Sequence, residues 1–386
     1  MRAPFLPFHV PDIAEDEIQA VVDTLRSGWL TTGSKTQEFE EAFAGYVGCR
    51  HAVAVNSGTA ALHLALDAVG VKEGDQVIIP TMTFAATAEV VLYFKANPVL
   101  VDCRPNTLNL DTEQIEKALT PRTKVIVPVH IGGQACDMDR VLEIARMHNL
   151  YVVEDAAHAL PARYRGQMVG TIGDITCFSF YATKTITTGE GGMATTENPE
   201  WAEHMRIMSL HGISRDAWKR YTAEGSWYYE ILYPGYKYNL TDVAAALGTQ
   251  QLRKADRFWE LRQRCAHFYN EGFKDVPEIT APHVQPEVQH AWHLYVIQLN
   301  LEQLRISRNT FIELLKQENI GTSVHFIPLH LHPYYRATFG YRPEDFPNAS
   351  SVFERIVSLP IFPKMTDADL GRVVETVTTL VRRHRR

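Results

Sequence analysis

Residues 51–80 read HAVAVNSGTAALHLALDAVGVKEGDQVIIP. HAVAVN (51–56) is a short apolar strand pattern, and Ser57-Gly58-Thr59 is a small, hydroxyl-rich opening to a helix. QVIIP (76–80) is a second strand. The same rhythm continues outward. A helix is predicted from about Phe84 to Lys95, then a strand at PVLVD (98–102). DTEQIEKAL follows as a helix, with Asp111 and Gln114 spaced as a capping box. KVIVPV (124–129), a helix from about Met138 to Met147, and YVVED (151–155) complete the series. The strands are Val/Ile-rich and nearly continuous, as strands buried on both faces are. Strand–helix alternation of this kind predicts an α/β layer fold with a largely parallel sheet.

Beyond residue 174 the rhythm changes. DITCFSFY (174–181) and MATT (193–196) are short strands around a Gly/Thr-rich loop, and one long helical pattern covers about 241–273. A strand (HLYVIQL, 293–299), a helix (307–318), a His/Pro-rich loop (325–333) and a final helix (366–382) follow. This predicts a large domain over 1–250 and a small C-terminal α+β domain over 251–386.

The composition excludes several classes. A chain of 386 residues with 45% hydrophobic and 22% charged residues is neither disordered nor low-complexity. A formal net charge of -7 speaks against nucleic-acid coating, and the basic run Arg382 to Arg386 reads as a solvated tail. No apolar stretch reaches the ~20 residues of a membrane span. Prolines and acids interrupt the N-terminus where a secretory segment would be apolar, so a cytoplasmic protein is expected. Cysteines 49, 103, 136, 177 and 265 form no CxxC motif and read as reduced thiols. No metal site is expected, because His325, His330 and His332 lack acidic or Cys partners at ligand spacing.

In open α/β sheets ligands bind beyond the carboxyl ends of the strands. After the first strand, Gly58 and Thr59 offer backbone N–H groups and a hydroxyl at a helix N-terminus, which favours an anion. Asp155 ends the fifth strand, where a carboxylate needs a cation or a donor, or else caps the next helix. Lys184, the only lysine between Lys124 and Lys219, sits in SFYATKTITTGEGG (179–192) among small and hydroxyl groups. Loss of solvation there would depress its pKa and free a nucleophilic amine; a surface loop lysine is the plain alternative. Ser179 could add a second phosphate hydroxyl, and Phe84 a ring to stack on a cofactor. Together these are the requirements of pyridoxal 5′-phosphate (PLP): a phosphate cradle, an acid for the pyridinium nitrogen and a desolvated lysine.

These residues lie in ordered blocks spread over nearly the whole chain: SGWLTTG and FEEAFA, NSGTAALHLAL, PTMTFAATAEV, NPVLVD, PVHIGGQACDMD, VVEDAAHA, SFYATKTITTGEGGM, HGISRDAW, PGYKYNLTDVAAALG, HAWHLYVI and IGTSVHFIPLH. In these blocks the chain resembles the DegT/DnrJ/StrS family of PLP-dependent nucleotide-sugar aminotransferases. The resemblance implies the PLP-dependent transferase type I (aspartate aminotransferase-like) fold. It is similar in particular to UDP-4-amino-4-deoxy-L-arabinose aminotransferases and related UDP-4-keto-sugar 4-aminotransferases.

The resemblance implies that Lys184 is the Schiff-base lysine and proton shuttle. Asp155 would pair with the ring nitrogen, His158 would lie near the ring oxygen, and Phe84 would stack on the ring. Gly58, Thr59 and Ser179 would hold the phosphate, with Asn239 reaching the phosphate of a neighbouring subunit in a homodimer. Phe8, Trp29, Thr31, His325 and His330 would line the nucleotide-sugar pocket, although each could equally be a core side chain. The implied activity is transfer of nitrogen from L-glutamate to a UDP-linked 4-keto sugar. A 3-aminotransferase, a sugar dehydratase and, more remotely, a non-catalytic nucleotide-sugar sensor are the alternatives. Dehydratases of the family carry His in place of the lysine, so Lys184 favours transamination. Ser34 and Pro161 depart from the family's usual Pro and Gly, in loops near the site.

Overall fold

The computed structural model describes residues 4–214 and 228–386, so the end of the HGISRDAW block, 215–218, lies outside the described residues. Two helices, α1 (Glu15–Ser27) and α2 (Ser34–Val47), lead into β1 (His51–Val55), α3 (Gly58–Ala68), β2 (Gln76–Pro80), α4 (Ala85–Tyr93) and β3 (Asn97–Val101). The helix expected from the capping box at 111–114 is reduced to a 3-10 turn (Thr112–Gln114) and a single turn, α5 (Ile115–Ala118). The reason is local: the Gln114 amide donates to the Asp111 carboxylate at 3.0 Å instead of reaching back to the backbone. Then come β4 (Thr123–Ile126), α6 (Met138–His148), β5 (Tyr151–Asp155), β6 (Arg163–Tyr164), β7 (Gln167–Met168), β8 (Ile175–Ser179), β9 (Gly192–Thr196) and α7 (Pro199–Ser209).

These strands build a seven-stranded sheet of order β1-β9-β8-β5-β4-β2-β3. It is mostly parallel, as the alternation predicted, and β9 alone runs against both of its neighbours. Alternate residues of each strand feed two apolar layers. Val53, Val77 and Ile79 pack with Leu64, Val91 and Met205 from α3, α4 and α7. Ala52, Ile78, Val152 and Phe178 pack with Phe39, Phe43, Val141 and Ile144 from α2 and α6. Each fully buried Leu, Ile or Phe contributes about 1.5–3 kcal/mol, so the sheet is a stiff platform for whatever sits at its strand ends.

The long helical pattern at 241–273 is two helices, α8 (Asp242–Arg253) and α9 (Ala255–Phe273). The break falls at Lys254, whose ammonium bonds Asp16 at 2.6 Å and Glu17 at 2.7 Å in α1. The remainder comprises β10 (Ile279–Thr280), β11 (Val288–Gln289), β12 (Tyr295–Leu299), α10 (Arg308–Gln317), α11 (Pro333–Phe339), α12 (Pro347–Phe353), β13 (Ile356–Leu359) and α13 (Asp367–Arg383). The three strands ordered β10-β12-β13 carry α9, α10 and α13, packed through Tyr269, Phe311 and Val377. The segment around Leu6 belongs to this layer in space. Leu6 donates to Asn319 and accepts from Gly321, both at 2.8 Å, and is buried with Tyr269 and Leu315. A third sheet, β11-β6-β7, joins the two regions. Among the described residues no helix is long and apolar enough to cross a membrane, and no group of His, Cys, Asp and Glu is placed to hold a metal.

Candidate active site

Sheet register builds the first part of the site. Gly192 of β9 pairs with Val55 of β1 on one side and with Ser179 of β8 on the other. The N-terminus of α3 therefore comes to lie beside the end of β8. Only glycines permit this approach. A Cβ on Gly192 would stand 2.4 Å from the Ser57 carbonyl oxygen, and one on Gly58 would stand 2.9 Å from Ser179 Cβ. Ser57 caps α3 by accepting from the Ala60 N–H at 3.1 Å. The first-turn N–H groups of Gly58 and Thr59 have no carbonyl one turn back within the helix, so they remain available to an anion. Ser179 and Thr59 are half-buried at the same edge.

On the next strand into the sheet from β8, Asp155 ends β5, paired in parallel with Cys177 of β8. It is buried. One carboxylate oxygen accepts from the Thr87 hydroxyl at 2.8 Å and the other from the Ala157 N–H at 3.2 Å. Burial pushes its carboxyl up from the ordinary range, against the pull of Thr87, Ala157, Lys184 and His130. Such a group is stabilised by any N–H⁺ brought to its free lone pairs. On the far side of the strand, Glu154 is fully buried and accepts from His130 at 2.9 Å, Thr176 at 2.7 Å and Gly173 at 2.7 Å. The other His130 nitrogen accepts from the Cys136 N–H, which places the ring proton on the nitrogen facing Glu154.

Lys184 lies in the loop between β8 and β9, its N–H bonded to the Tyr181 carbonyl at 2.9 Å. The surrounding protein strips enough water to pull its amine down to about 8, and the attraction of Asp155 only partly offsets this. Its field reaches four imidazoles, His9, His158, His293 and His325. Burial, the larger effect, and the lysine charge hold all four below the usual histidine range, His9 to about 3 and His325 to about 4. His158 accepts from the Gly132 N–H at 3.3 Å on Nδ1, so its proton sits on Nε2. Its ring stacks on Phe326 with centroids 5.7 Å apart.

Of the other expected residues, Phe84 stands at the N-cap of α4, is 61% exposed, and has its ring 5.9 Å from that of Phe326. His325 bonds Ser358 at 2.8 Å and stacks on Phe8 at 5.5 Å, which brings the N-terminal segment to this wall. His330 is placed differently. It is fully buried, with one ring nitrogen on Thr81 at 2.7 Å and the other on Ser350 at 3.0 Å, so neither is left for a ligand. Trp29 and Thr31 are tied to the α2–α8 region instead of to Lys184. Trp29 donates to the Thr32 carbonyl and Thr31 accepts from the Asp242 N–H. Asn239 bridges to Val55 at the outer edge of β1. Its amide donates to Thr32 at 2.7 Å and accepts from Lys237 at 2.5 Å. It borders a cavity of about 390 Å³ lined by Thr36, Glu40, Arg50 and Arg206, which contains neither Lys184 nor Asp155.

Sequence reasoning missed Thr87, Phe326, His9, His293 and Arg262. Arg262 is fully buried, with burial pulling its guanidinium down to about 10. Its Nε and Nη2, like His9 Nε2 and His293 Nδ1, have no partner among the described residues. Thr87 could have been found from the three-residue spacing that puts it one helical turn beyond Phe84; the others carry no local signal.

This arrangement suits PLP: a glycine-lined anion cradle, a buried carboxylate with free lone pairs, an aromatic wall and a lysine with a weakly basic amine. The profile of the DegT/DnrJ/EryC1/StrS aminotransferase family matches residues 11–378. An uncharacterised protein of Methanocaldococcus jannaschii is 55% identical over 385 residues, covering all of both chains. The spore coat polysaccharide biosynthesis protein SpsC of Bacillus subtilis is 51% identical over 382 residues, covering 99% of this chain and 98% of its own. Among solved structures, the sugar aminotransferase Spr1654 of Streptococcus pneumoniae in its PMP form superposes with a TM-score of 0.92 at 38% identity, covering 98% of this chain and 99% of that one. In its PLP form the TM-score is 0.91. The chain belongs to the DegT/DnrJ/EryC1/StrS aminotransferase family and is a PLP-dependent sugar transaminase of fold type I.

Proposed function

We propose that the enzyme moves the amino group of L-glutamate to C4 of a UDP-linked 4-keto sugar, a 4-keto-pentose or 4-keto-6-deoxy-N-acetylhexosamine. The products are a 4-amino sugar nucleotide and 2-oxoglutarate. The observation that carries the transamination is Lys184, an amine pulled down to about 8 beside buried Asp155. When bound, PLP supplies an aldehyde for the lysine and an electron sink for the carbanion.

The chain's own groups do the rest. Gly58, Thr59 and Ser179 would hold the phosphate at the α3 N-terminus. Asp155 would hold the ring N–H⁺, with Nε2–H of His158 available as a donor beside it. Phe84, with Phe326 packed against it, would cover one face of the ring. Lys184 Nζ would move a proton from the donor's α-carbon to the cofactor in the first half of the reaction and from the cofactor to C4 of the sugar in the second, a task suited to an amine poised near working pH. Arg262, with two guanidinium nitrogens unpartnered among the described residues, adds positive charge beside His9 and His293 for the carboxylates of the donor.

The working form is a cytoplasmic homodimer. Asn239, at the outer edge of β1, serves the partner's phosphate, while Trp29 and Thr31 face the partner's sugar pocket. Phe8 and His325 line the pocket of their own subunit. The polysaccharide role in the name of the Bacillus relative supports an amino-sugar product.

The test incubates the purified enzyme with L-glutamate and a panel of UDP- and dTDP-linked 4-keto and 3-keto sugars, with products read by mass and NMR. Nitrogen at C4 of a UDP sugar is the expected result. Nitrogen at C3 would move the assignment to a 3-aminotransferase. Loss of oxygen without added nitrogen would make it a dehydratase, and a Schiff base without turnover a sensor.

A further inference from the structure

The turn that presents Phe84 also delivers a hydrogen bond to Asp155 that no motif announces. Thr83 precedes α4, Thr87 lies in its first turn, and both are buried. A helical threonine ordinarily turns its hydroxyl onto a backbone carbonyl three or four residues back. Here Thr87 Oγ1 instead meets the hydroxyl of Thr83 at 2.8 Å and the Oδ2 of Asp155 at 2.8 Å. A hydroxyl has one proton. The carboxylate can only accept, so Thr87 donates to Asp155, and Thr83 must donate to Thr87. The direction of the relay Thr83 to Thr87 to Asp155 is thus determined by chemistry.

The Ala157 N–H occupies the other carboxylate oxygen. Each oxygen then has one protein donor and keeps a lone pair. The plane of the carboxyl is set by two donors on different elements, α4 and the end of β5.

We propose that Thr87, backed by Thr83, is the positioning residue that orients Asp155 to receive the ring nitrogen of PLP. Thr87 touches neither cofactor nor substrate in this role and acts only through Asp155. The inference rests on the PLP reading of the site.

The test uses full-length Thr87→Val, Thr87→Ser and Thr83→Val proteins. It measures the PLP dissociation constant, the visible absorption of the loaded enzyme, and the unfolding midpoint of the cofactor-free protein. Valine keeps the shape and removes the donor. Losing one hydrogen bond to a charged group corresponds to a roughly tenfold or greater loss of affinity. T87V should therefore bind PLP at least about tenfold more weakly and shift the absorption band, T87S should restore both, and T83V should show a smaller loss.

A purely structural role would lower the unfolding midpoint of T87V and leave its PLP affinity and spectrum at wild-type values; that result overturns the proposal. If T87V does not fold, T83V decides, and wild-type affinity and spectrum there overturn it equally. A wild-type enzyme that stays colourless with PLP would instead sink the cofactor reading itself.

Discussion

Replacing Gly192 with alanine probes the site through one methyl group. The added Cβ would lie 2.4 Å from the Ser57 carbonyl oxygen, 2.5 Å from its carbon and 2.7 Å from the Gly58 nitrogen, about 1 Å inside ordinary contact. All three are backbone atoms, so no rotamer change relieves the clash. Strand β9 cannot yield easily, because it is hydrogen-bonded to β1 on one side and β8 on the other. The first turn of α3 is anchored in turn by the Ser57 cap and by the Ala61 N–H on the Ser57 carbonyl at 3.1 Å. The helix start must move, at an overpacking cost of about 1–3 kcal/mol. Its Gly58 and Thr59 N–H groups move with it, away from Ser179. Losing one charge-assisted hydrogen bond to the phosphate would weaken PLP binding about tenfold or more.

The assay is urea unfolding of the cofactor-free protein together with a PLP titration followed by visible absorption. Gly45→Ala is the control. It lies in α2 with nothing within 4 Å of the added Cβ, and should be neutral or stabilising by about 0.5–1 kcal/mol. A Gly192→Ala protein with wild-type stability and wild-type PLP affinity would refute the cradle geometry.

Lys184→Met should stabilise the cofactor-free protein at pH 7, since the folded state no longer has to house a desolvated ammonium. With the folded amine at about 8 against 10.5 unfolded, the unfolded chain binds more protons between those values. The wild type should therefore gain up to about 3 kcal/mol as pH rises through that window, and urea titrations in which its gap to Lys184→Met stays constant would contradict the burial. Glu154→Gln puts a donor where three donors converge and should cost about 3 kcal/mol. Burial raises the Glu154 carboxyl, but His130, Thr176 and Gly173 outweigh it and hold it below 4.5. Its contribution is present above pH 4.5 and lost as pH falls further, which acid-unfolding curves of the two proteins will show. His330→Gln should leave PLP affinity and sugar KM unchanged while lowering the unfolding midpoint, because the imidazole bonds only Thr81 and Ser350.

The strand runs around Val53, Ile78 and Val153, the carboxylate at a strand end and the isolated Lys184 were all readable in the chain. Periodicity, capping and composition act over a few residues, and each of these signals lies within such a span. Two local readings failed because a side chain found a partner that periodicity and spacing do not specify, one distant and one three residues away. Lys254 reaches α1 and divides the expected single helix into α8 and α9, and Gln114 bonds Asp111 in place of closing a capping box. His330 carried the same local signature as His325, yet only His325 lies in the field of Lys184. What the sequence by itself determined is the list of chemical groups and the elements that carry them. Only the tertiary structure decided which groups meet. It inserted β9 between β1 and β8 so that Ser57, Gly58 and Ser179 converge, and it turned Thr87 toward Asp155. It also folded the N-terminal segment back so that His9 lies in the field of Lys184. Strand order and side-chain convergence are set by pairing and burial between residues far apart in the chain, and no local pattern encodes that energy.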